Sequence, residues 1–125
     1  MKELLKSHHP IRRLNSFKYA FRGIFHALMN EANFRIDMVI TAFVVSMGIH
    51  FRITNTEWAI LVLGLGFLLA AEIINTLIEE LVDHLIHEHH EGARVIKDLS
   101  AGFVLTVALS VLASFCLVMW KYFFY

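Results

Sequence analysis

The sequence has 125 residues, of which 58% are hydrophobic, with one proline and one cysteine. It is too short for two domains and too apolar for an ordinary soluble domain. The 11 basic and 11 acidic residues cancel, but the basic ones crowd the N-terminus at Lys2, Lys6, Arg12, Arg13, Lys18 and Arg22. The chain is therefore expected in a bilayer, and no nucleic-acid partner is expected.

The N-terminal quarter, residues 1–33, is predicted to be a cytoplasmic lead followed by a surface helix. Met1 to Asn15 is polar and basic and lacks the apolar core of a signal peptide. Asn15 or Ser16 is expected to cap a helix that runs from Phe17 to about Ala32. Bulky apolar residues fall on one side of this helix and basic residues lie off it, which is typical of a helix in the membrane interface.

Three apolar stretches follow, and they predict membrane-spanning helices at residues 36–52, 58–83 and 99–120. Residues 53–57 are predicted as a short turn and residues 84–98 as a second, cytoplasmic connection. With the N-terminus inside, only Arg52 and Lys121 of the 11 basic residues lie outside, as the positive-inside rule requires. The predicted fold is an all-α integral membrane domain, with one amphipathic surface helix and three transmembrane helices.

The second span carries a polar stripe. On an α-helix, its four members fall within about 80° of one another: Glu72, Asn75, Glu79 and Asp83. Glu72 lies about 21 Å along the axis from Trp58, below the surface of an apolar core about 30 Å thick. Ionisable groups at such depth normally face a protein interior or a polar cavity, which indicates a functional site. Two plainer readings stay open: Asn75, and less so Glu72, as a hydrogen-bonding group between helices at an oligomer interface, and Glu79, Glu80 and Asp83 as a solvated helix end.

A deep carboxylate, shallower carboxylates and a Lys97–Asp98 pair on the facing connection suggest chemistry between a membrane-dissolved substrate and a water-soluble one. Phosphoryl transfer fits, because it uses cations held by carboxylates, a lysine at the phosphates and a base at the acceptor hydroxyl. Glu79 with Glu31 could hold the cation, and Glu72 is deep enough to reach a lipid hydroxyl. No Walker-type glycine loop is present.

The segment "AEIINTLIEELVD", followed by "EHH" and "IKDLSAG", resembles the prokaryotic diacylglycerol kinases, which include the undecaprenol kinases of Gram-positive bacteria. "SFKYAFRGI" and "NEANFRI" in the N-terminal half are also similar to the family pattern. The resemblance implies a small lipid kinase of the bacterial inner membrane. Its N-terminus and active site would be cytoplasmic, and it would be a homotrimer with shared active sites. Its substrates would be ATP and a membrane lipid alcohol.

The resemblance also implies roles for individual residues. Glu72 would be the general base, supported by Asn75 and Asp83, and Glu31 and Glu79 would bind the Mg²⁺ that accompanies ATP. The implied nucleotide-binding residues are Arg12, Tyr19, Glu31, Glu79, Glu88, His90, Lys97 and Asp98. The chain departs from the family at Glu80 and His84, and "HEHHEGARV" replaces a loop that usually carries a tyrosine or proline.

Three alternatives accompany this hypothesis. A small proton-coupled transporter would use Glu72 but would leave Glu31, Glu79 and Lys97 unexplained. A membrane interaction subunit would use the stripe only for packing. The histidine-rich loop, with His84, His87, Glu88, His89, His90 and Glu91, could hold a transition metal, but no ligand spacing specific to a metal is met. The sequence does not decide between diacylglycerol and undecaprenol, although "NFRI" looks slightly more like the undecaprenol relatives.

Overall fold

This computed structural model describes residues 10–86 and 90–124, with side chains from residue 15 onwards. Those residues form four helices and no strand: α1 Pro10–Asn30, α2 Ala32–Phe51, α3 Asn55–Leu85 and α4 Glu91–Phe124. The helices α2, α3 and α4 are each long and apolar enough to cross a membrane. The predicted all-α membrane fold with three spanning helices is confirmed.

The first helix starts earlier than the sequence analysis predicts. It begins at Pro10 rather than near Phe17, so Asn15 and Ser16 lie inside the helix and are not its caps. Proline is favoured in the first turn of a helix, because its fixed φ suits that position and its missing N–H would have no partner there. The proline therefore fits the first turn of this helix.

The connection between α2 and α3 is short, and hydrogen bonds cap both the end of α2 and the start of α3. The N–H of Ile53 bonds to the carbonyl of Gly48 and that of Arg52 to the carbonyl of Ile49, both at 3.2 Å, which is a Schellman ending for α2. Arg52 takes the left-handed conformation, with φ at 53°. Thr54 then caps α3: its N–H donates to Glu57 Oε2 at 2.8 Å, and its hydroxyl accepts from the Glu57 N–H.

The second connection is much shorter than expected. Helix α3 continues to Leu85 and α4 starts at Glu91, so most of the predicted connection at residues 84–98 is helical. Hydropathy marks where the apolar run stops, whereas a helix can continue into water with its backbone bonds intact. As a result, Lys97 and Asp98 lie on a helix and not on a loop.

Helix α3 packs against both α2 and α4. Its buried apolar residues recur every three or four positions, at Leu61, Leu65, Leu68 and Ala71. Facing residues complete this core: Val44, Val107, Val111 and Val118. Many large apolar side chains elsewhere on the three helices are exposed, including Val39, Leu63, Leu105 and Leu117. Such an outer surface suits contact with lipid.

Candidate active site

The buried face of α3 changes from apolar to polar after Ala71. Glu72 is 5% exposed and Asn75 and Thr76 are each 7% exposed, so the face that buries leucines in the first half of the helix buries polar groups here. Further along, Glu79 is half-buried, and Asp83 is exposed. The stripe therefore runs from the protein interior towards water along one helix face.

Three members of the stripe line a common cleft of about 300 Å³: Glu72, Asn75 and Glu79. The other walls come from α2, with Asn33, Ile36 and Asp37, and from α4, with Ala101, Val104, Leu105 and Ala108. Two carboxylates and an amide on the α3 wall, Asn33 and Asp37 on the α2 wall, and apolar residues on the α4 wall make a cleft that can hold a polar head group joined to an apolar tail.

A chain of hydrogen bonds crosses from α4 to α3 at this cleft. The hydroxyl of buried Ser100 donates to Asn75 Oδ1 at 2.7 Å, and Asn75 Nδ2 donates to Glu79 Oε1 at 3.0 Å. Because Ser100 donates to the side-chain oxygen of Asn75, the amide nitrogen of Asn75 is directed at the carboxylate of Glu79. Asn75 thus hydrogen bonds between two helices of the same chain, and it also orients a carboxylate of the cleft; the reading that places it at an oligomer interface stays a prediction.

A second group of charges lies where α3 ends and α4 begins. Lys97 Nζ pairs with Asp83 Oδ1 at 2.6 Å across the two helices. Both residues line a cleft of about 330 Å³ together with His90 and Arg94. Arg94 also pairs with Asp98 at 2.8 Å. Lys97 and Asp98 are adjacent in the sequence but are bonded to different neighbours, because Lys97 faces α3 while Asp98 faces one turn back along α4.

The remaining predicted residues lie on α1, directly after it, or outside the described residues. Arg12 and Tyr19 lie on α1, where the Tyr19 ring is exposed, and Glu31 follows the end of that helix. Glu88 lies outside the described residues, as do His87 and His89 of the histidine-rich loop. The roles assigned to all of these residues stay predictions.

The carboxylates of the cleft are suitable ligands for magnesium, although the described residues of a single copy do not form a complete metal site. Within residues 10–86 and 90–124, no three His, Cys, Asp or Glu side chains group to hold an ion. Magnesium is commonly held by one or two carboxylates, with waters and substrate phosphates completing the shell, so a single half-buried carboxylate such as Glu79 fits. The transition-metal alternative gains no support: described His84 instead lies against Glu80 of its own helix.

The structure adds residues that sequence reasoning missed, above all Ser100 and Asp37. Ser100 follows Lys97 by three positions and so shares its helix face, a signal that periodicity could have supplied. Asp37 falls at the start of the first predicted span, at residues 36–52, and the sequence assigns it no role, whereas it is 9% exposed and lines the cleft. No periodic signal marks Asp37, because its importance depends on the packing of α2 against α3.

Comparison with known proteins agrees with this arrangement. The model of the family described as "Prokaryotic diacylglycerol kinase" matches residues 18–119. The chain is 34% identical over 98 residues to the undecaprenol kinase of Bacillus subtilis, covering 78% of this chain and 80% of that protein. It is 32% identical to the diacylglycerol kinase of Synechocystis, covering 85% of this chain and 62% of the relative.

The diacylglycerol kinase of Escherichia coli is 26% identical over 112 residues, which cover 90% of this chain and 92% of that protein. The resemblance drawn from the sequence motifs is confirmed, and no relative supports the transporter alternative. The chain belongs to the prokaryotic diacylglycerol kinase family and is a membrane lipid kinase.

Proposed function

We propose that the chain transfers the γ-phosphate of ATP to the hydroxyl group of a membrane lipid alcohol, with Glu72 as the general base. The observation that carries this proposal is the burial of Glu72, 5% exposed, in a cleft that it shares with Asn75 and a second carboxylate. A buried carboxylate costs free energy, and a reaction that needs a base at membrane depth accounts for it.

The proposed step moves one proton and exchanges one bond. The proton of the lipid hydroxyl passes to Glu72 as the hydroxyl oxygen forms its bond to the γ-phosphorus. The bond from that phosphorus to the ADP oxygen breaks, and ADP leaves. Because phosphoryl transfer depends mainly on position and charge, the principal work of the other residues is to hold the two substrates in line.

Charge neutralisation is assigned to the shallower residues. Lys97 would meet the phosphates, and its ion pair with Asp83 holds its side chain between α3 and α4. Glu79, with Glu31, would hold Mg²⁺, which when bound offsets phosphate charge. Arg12, Tyr19, Glu88, His90 and Asp98 are proposed to contact the nucleotide.

The setting of the site is part of the same proposal. We place the protein in the bacterial inner membrane with its N-terminus and cleft on the cytoplasmic side, where ATP is available. The uneven distribution of basic residues supports this orientation. A homotrimer with shared sites is proposed from the family resemblance.

The experiment that tests the function is a transfer assay with ATP labelled in its γ-phosphate and purified protein in mixed micelles. Diacylglycerol and undecaprenol are offered separately, and the labelled lipid is extracted and counted. The proposal expects magnesium-dependent labelling of at least one lipid and none without lipid. Absence of labelling with both alcohols, from folded protein, would refute it.

A further inference from the structure

Arg94 is a cation that the proposed mechanism does not use. It lies near the start of α4 and lines the cleft of about 330 Å³ in which Lys97 pairs with Asp83. Its Nη1 donates to Asp98 Oδ2 at 2.8 Å, and its Nε donates to Glu91 Oε2 at 3.2 Å. Glu91 and Asp98 do not line that cleft. The guanidinium group therefore lies on the wall of the cleft, held by two carboxylates outside it.

The two sets of ion pairs differ in how firmly they hold their cation. Lys97 is 36% exposed, and its pair with Asp83 joins α3 to α4. The side chains of Arg94, Glu91 and Asp98 are each at least 63% exposed, and all three belong to α4. Exposed pairs within one helix contribute little to stability, because water screens them. Arg94 can therefore leave its two carboxylates at little cost and without breaking a contact between helices.

A polyphosphate is a better partner for Arg94 than either carboxylate. The planar fork of a guanidinium group matches phosphate oxygens in a bidentate manner, and each nucleotide phosphate adds negative charge. Among the described residues, the lysine and the arginine of the cleft are both already paired with carboxylates. A nucleotide that enters must therefore take a cation from a carboxylate, and Arg94 is the one held less firmly.

The position of Arg94 along α4 indicates which phosphates it would meet. Ser100, further along the helix, bonds to Asn75, which shares the deeper cleft with Glu72. Lys97 lies three positions from Ser100, and Arg94 lies three more positions back, about 4.5 Å further out along the axis. A γ-phosphate that reacts near Glu72 is thus closer to Lys97. Arg94 would meet the phosphates that stay in ADP.

We propose that Arg94 is a nucleotide-binding residue that leaves Glu91 and Asp98 to bind the phosphates retained in ADP, so that Glu91 competes with the nucleotide for it. The movement also releases Asp98 for the nucleotide contact proposed above. Glu91 would then limit how tightly the protein holds both ATP and the ADP that must leave. This inference rests on the proposed function, since it places ATP in the cleft of Lys97.

The test measures kcat and the KM for Mg·ATP with the full-length protein in mixed micelles, and the Kd of Mg·ADP by calorimetry, which needs no turnover. Arg94→Gln should raise both the KM and the Kd by the same factor, on the order of tenfold, which is the value of a hydrogen bond to a charged group. Its kcat and its KM for the lipid should stay within about twofold. Arg94→Lys should recover only part of the affinity, because an ammonium group lacks the fork.

Glu91→Gln separates competition from a structural role. It removes the competing carboxylate and leaves Arg94 in place, so the Kd of Mg·ADP should fall by about twofold, the value of an exposed ion pair. This gain should disappear in the double variant with Arg94→Gln, because no arginine is then left to be released. If Arg94 only steadied the start of α4 through Glu91, both single variants would weaken binding.

Arg52→Gln is the matched control. Arg52 is an exposed arginine in the connection between α2 and α3, far along α3 from the cleft. Its replacement should leave the KM for Mg·ATP and the Kd of Mg·ADP unchanged. A decrease in both affinities as large as that of Arg94→Gln would show a general effect of charge and overturn the assignment.

Each other contrary result also has a definite meaning. Unchanged Mg·ADP binding in Arg94→Gln would overturn the contact with the retained phosphates. Unchanged or weaker binding in Glu91→Gln, or a gain that persists in the double variant, would overturn the competition. A wild-type protein that binds Mg·ADP but labels neither lipid would refute the proposed function, while the calorimetry would still decide the role of Arg94.

Discussion

The hydroxyl of Ser100 on α4 donates a hydrogen bond of 2.7 Å to the side-chain oxygen of Asn75 on α3, and both residues are buried. This contact joins two helices at the depth of the cleft and fixes which end of the amide faces Glu79. Two residues that are 25 positions apart in the sequence thereby set the orientation of one carboxylate.

Replacing Ser100 by alanine tests this relationship. The change leaves the buried oxygen of Asn75 without its donor, which costs about 1–3 kcal/mol of stability. It also frees the amide, so Glu79 loses its orientation and the KM for Mg·ATP should rise several-fold. Ser110→Ala is the control, since that exposed hydroxyl donates only to the carbonyl of Thr106 in its own helix. A Ser100→Ala protein with unchanged KM and melting temperature would contradict the assignment.

The metal assignment is tested by two neighbouring glutamates. Glu79→Gln removes one anionic oxygen ligand and should raise the magnesium concentration needed for half-maximal activity, while also lowering turnover. Glu80→Gln changes the same charge one residue away, at an exposed position outside the cleft. Titration of activity with magnesium should separate the two variants, and coincident curves would remove Glu79 from the metal site.

Two glycines on neighbouring helices offer a test of the packing. A Cβ at Gly48 would lie 2.7 Å from the ring of Trp58, so Gly48→Ala should cost about 1–3 kcal/mol through overpacking. A Cβ at Gly66 meets nothing within 4 Å, and Gly66→Ala should be neutral or stabilise by up to about 1 kcal/mol. Thermal unfolding in detergent measures both, and equal melting temperatures would contradict the close approach of α2 to Trp58.

Much of this arrangement could be predicted from periodicity alone. The spacing of Glu72, Asn75 and Glu79 places them on one face of a long helix, and the structure puts all three in one cleft. Helix ends were harder: apolar content did not show that α3 continues to Leu85 or that α4 starts at Glu91. The pairing of Lys97 with Asp83 and the burial of Asp37 depend on how separate helices pack, and a single sequence does not encode that in its local pattern.

Orientation in the membrane is tested by accessibility to a thiol reagent that cannot cross it. In a background with Cys116 replaced, a cysteine near Glu91 should be protected in intact cells, and a cysteine added after Tyr125 should react. Permeabilised cells provide the control, because both positions should then be labelled. The opposite pattern in intact cells would place the cleft on the outer side of the membrane.

The central claim is that Glu72 takes the proton from the lipid hydroxyl, and the turnover of Glu72→Gln measures it most directly. Glutamine keeps the size of the side chain and one acceptor oxygen but is not a base, so turnover should fall by about 10²–10⁴-fold. Affinity for ATP and assembly should be nearly unchanged, since glutamine fills the same volume and removes the cost of burying a charge. A well-assembled Glu72→Gln protein that retains most of its lipid-kinase turnover would contradict the account.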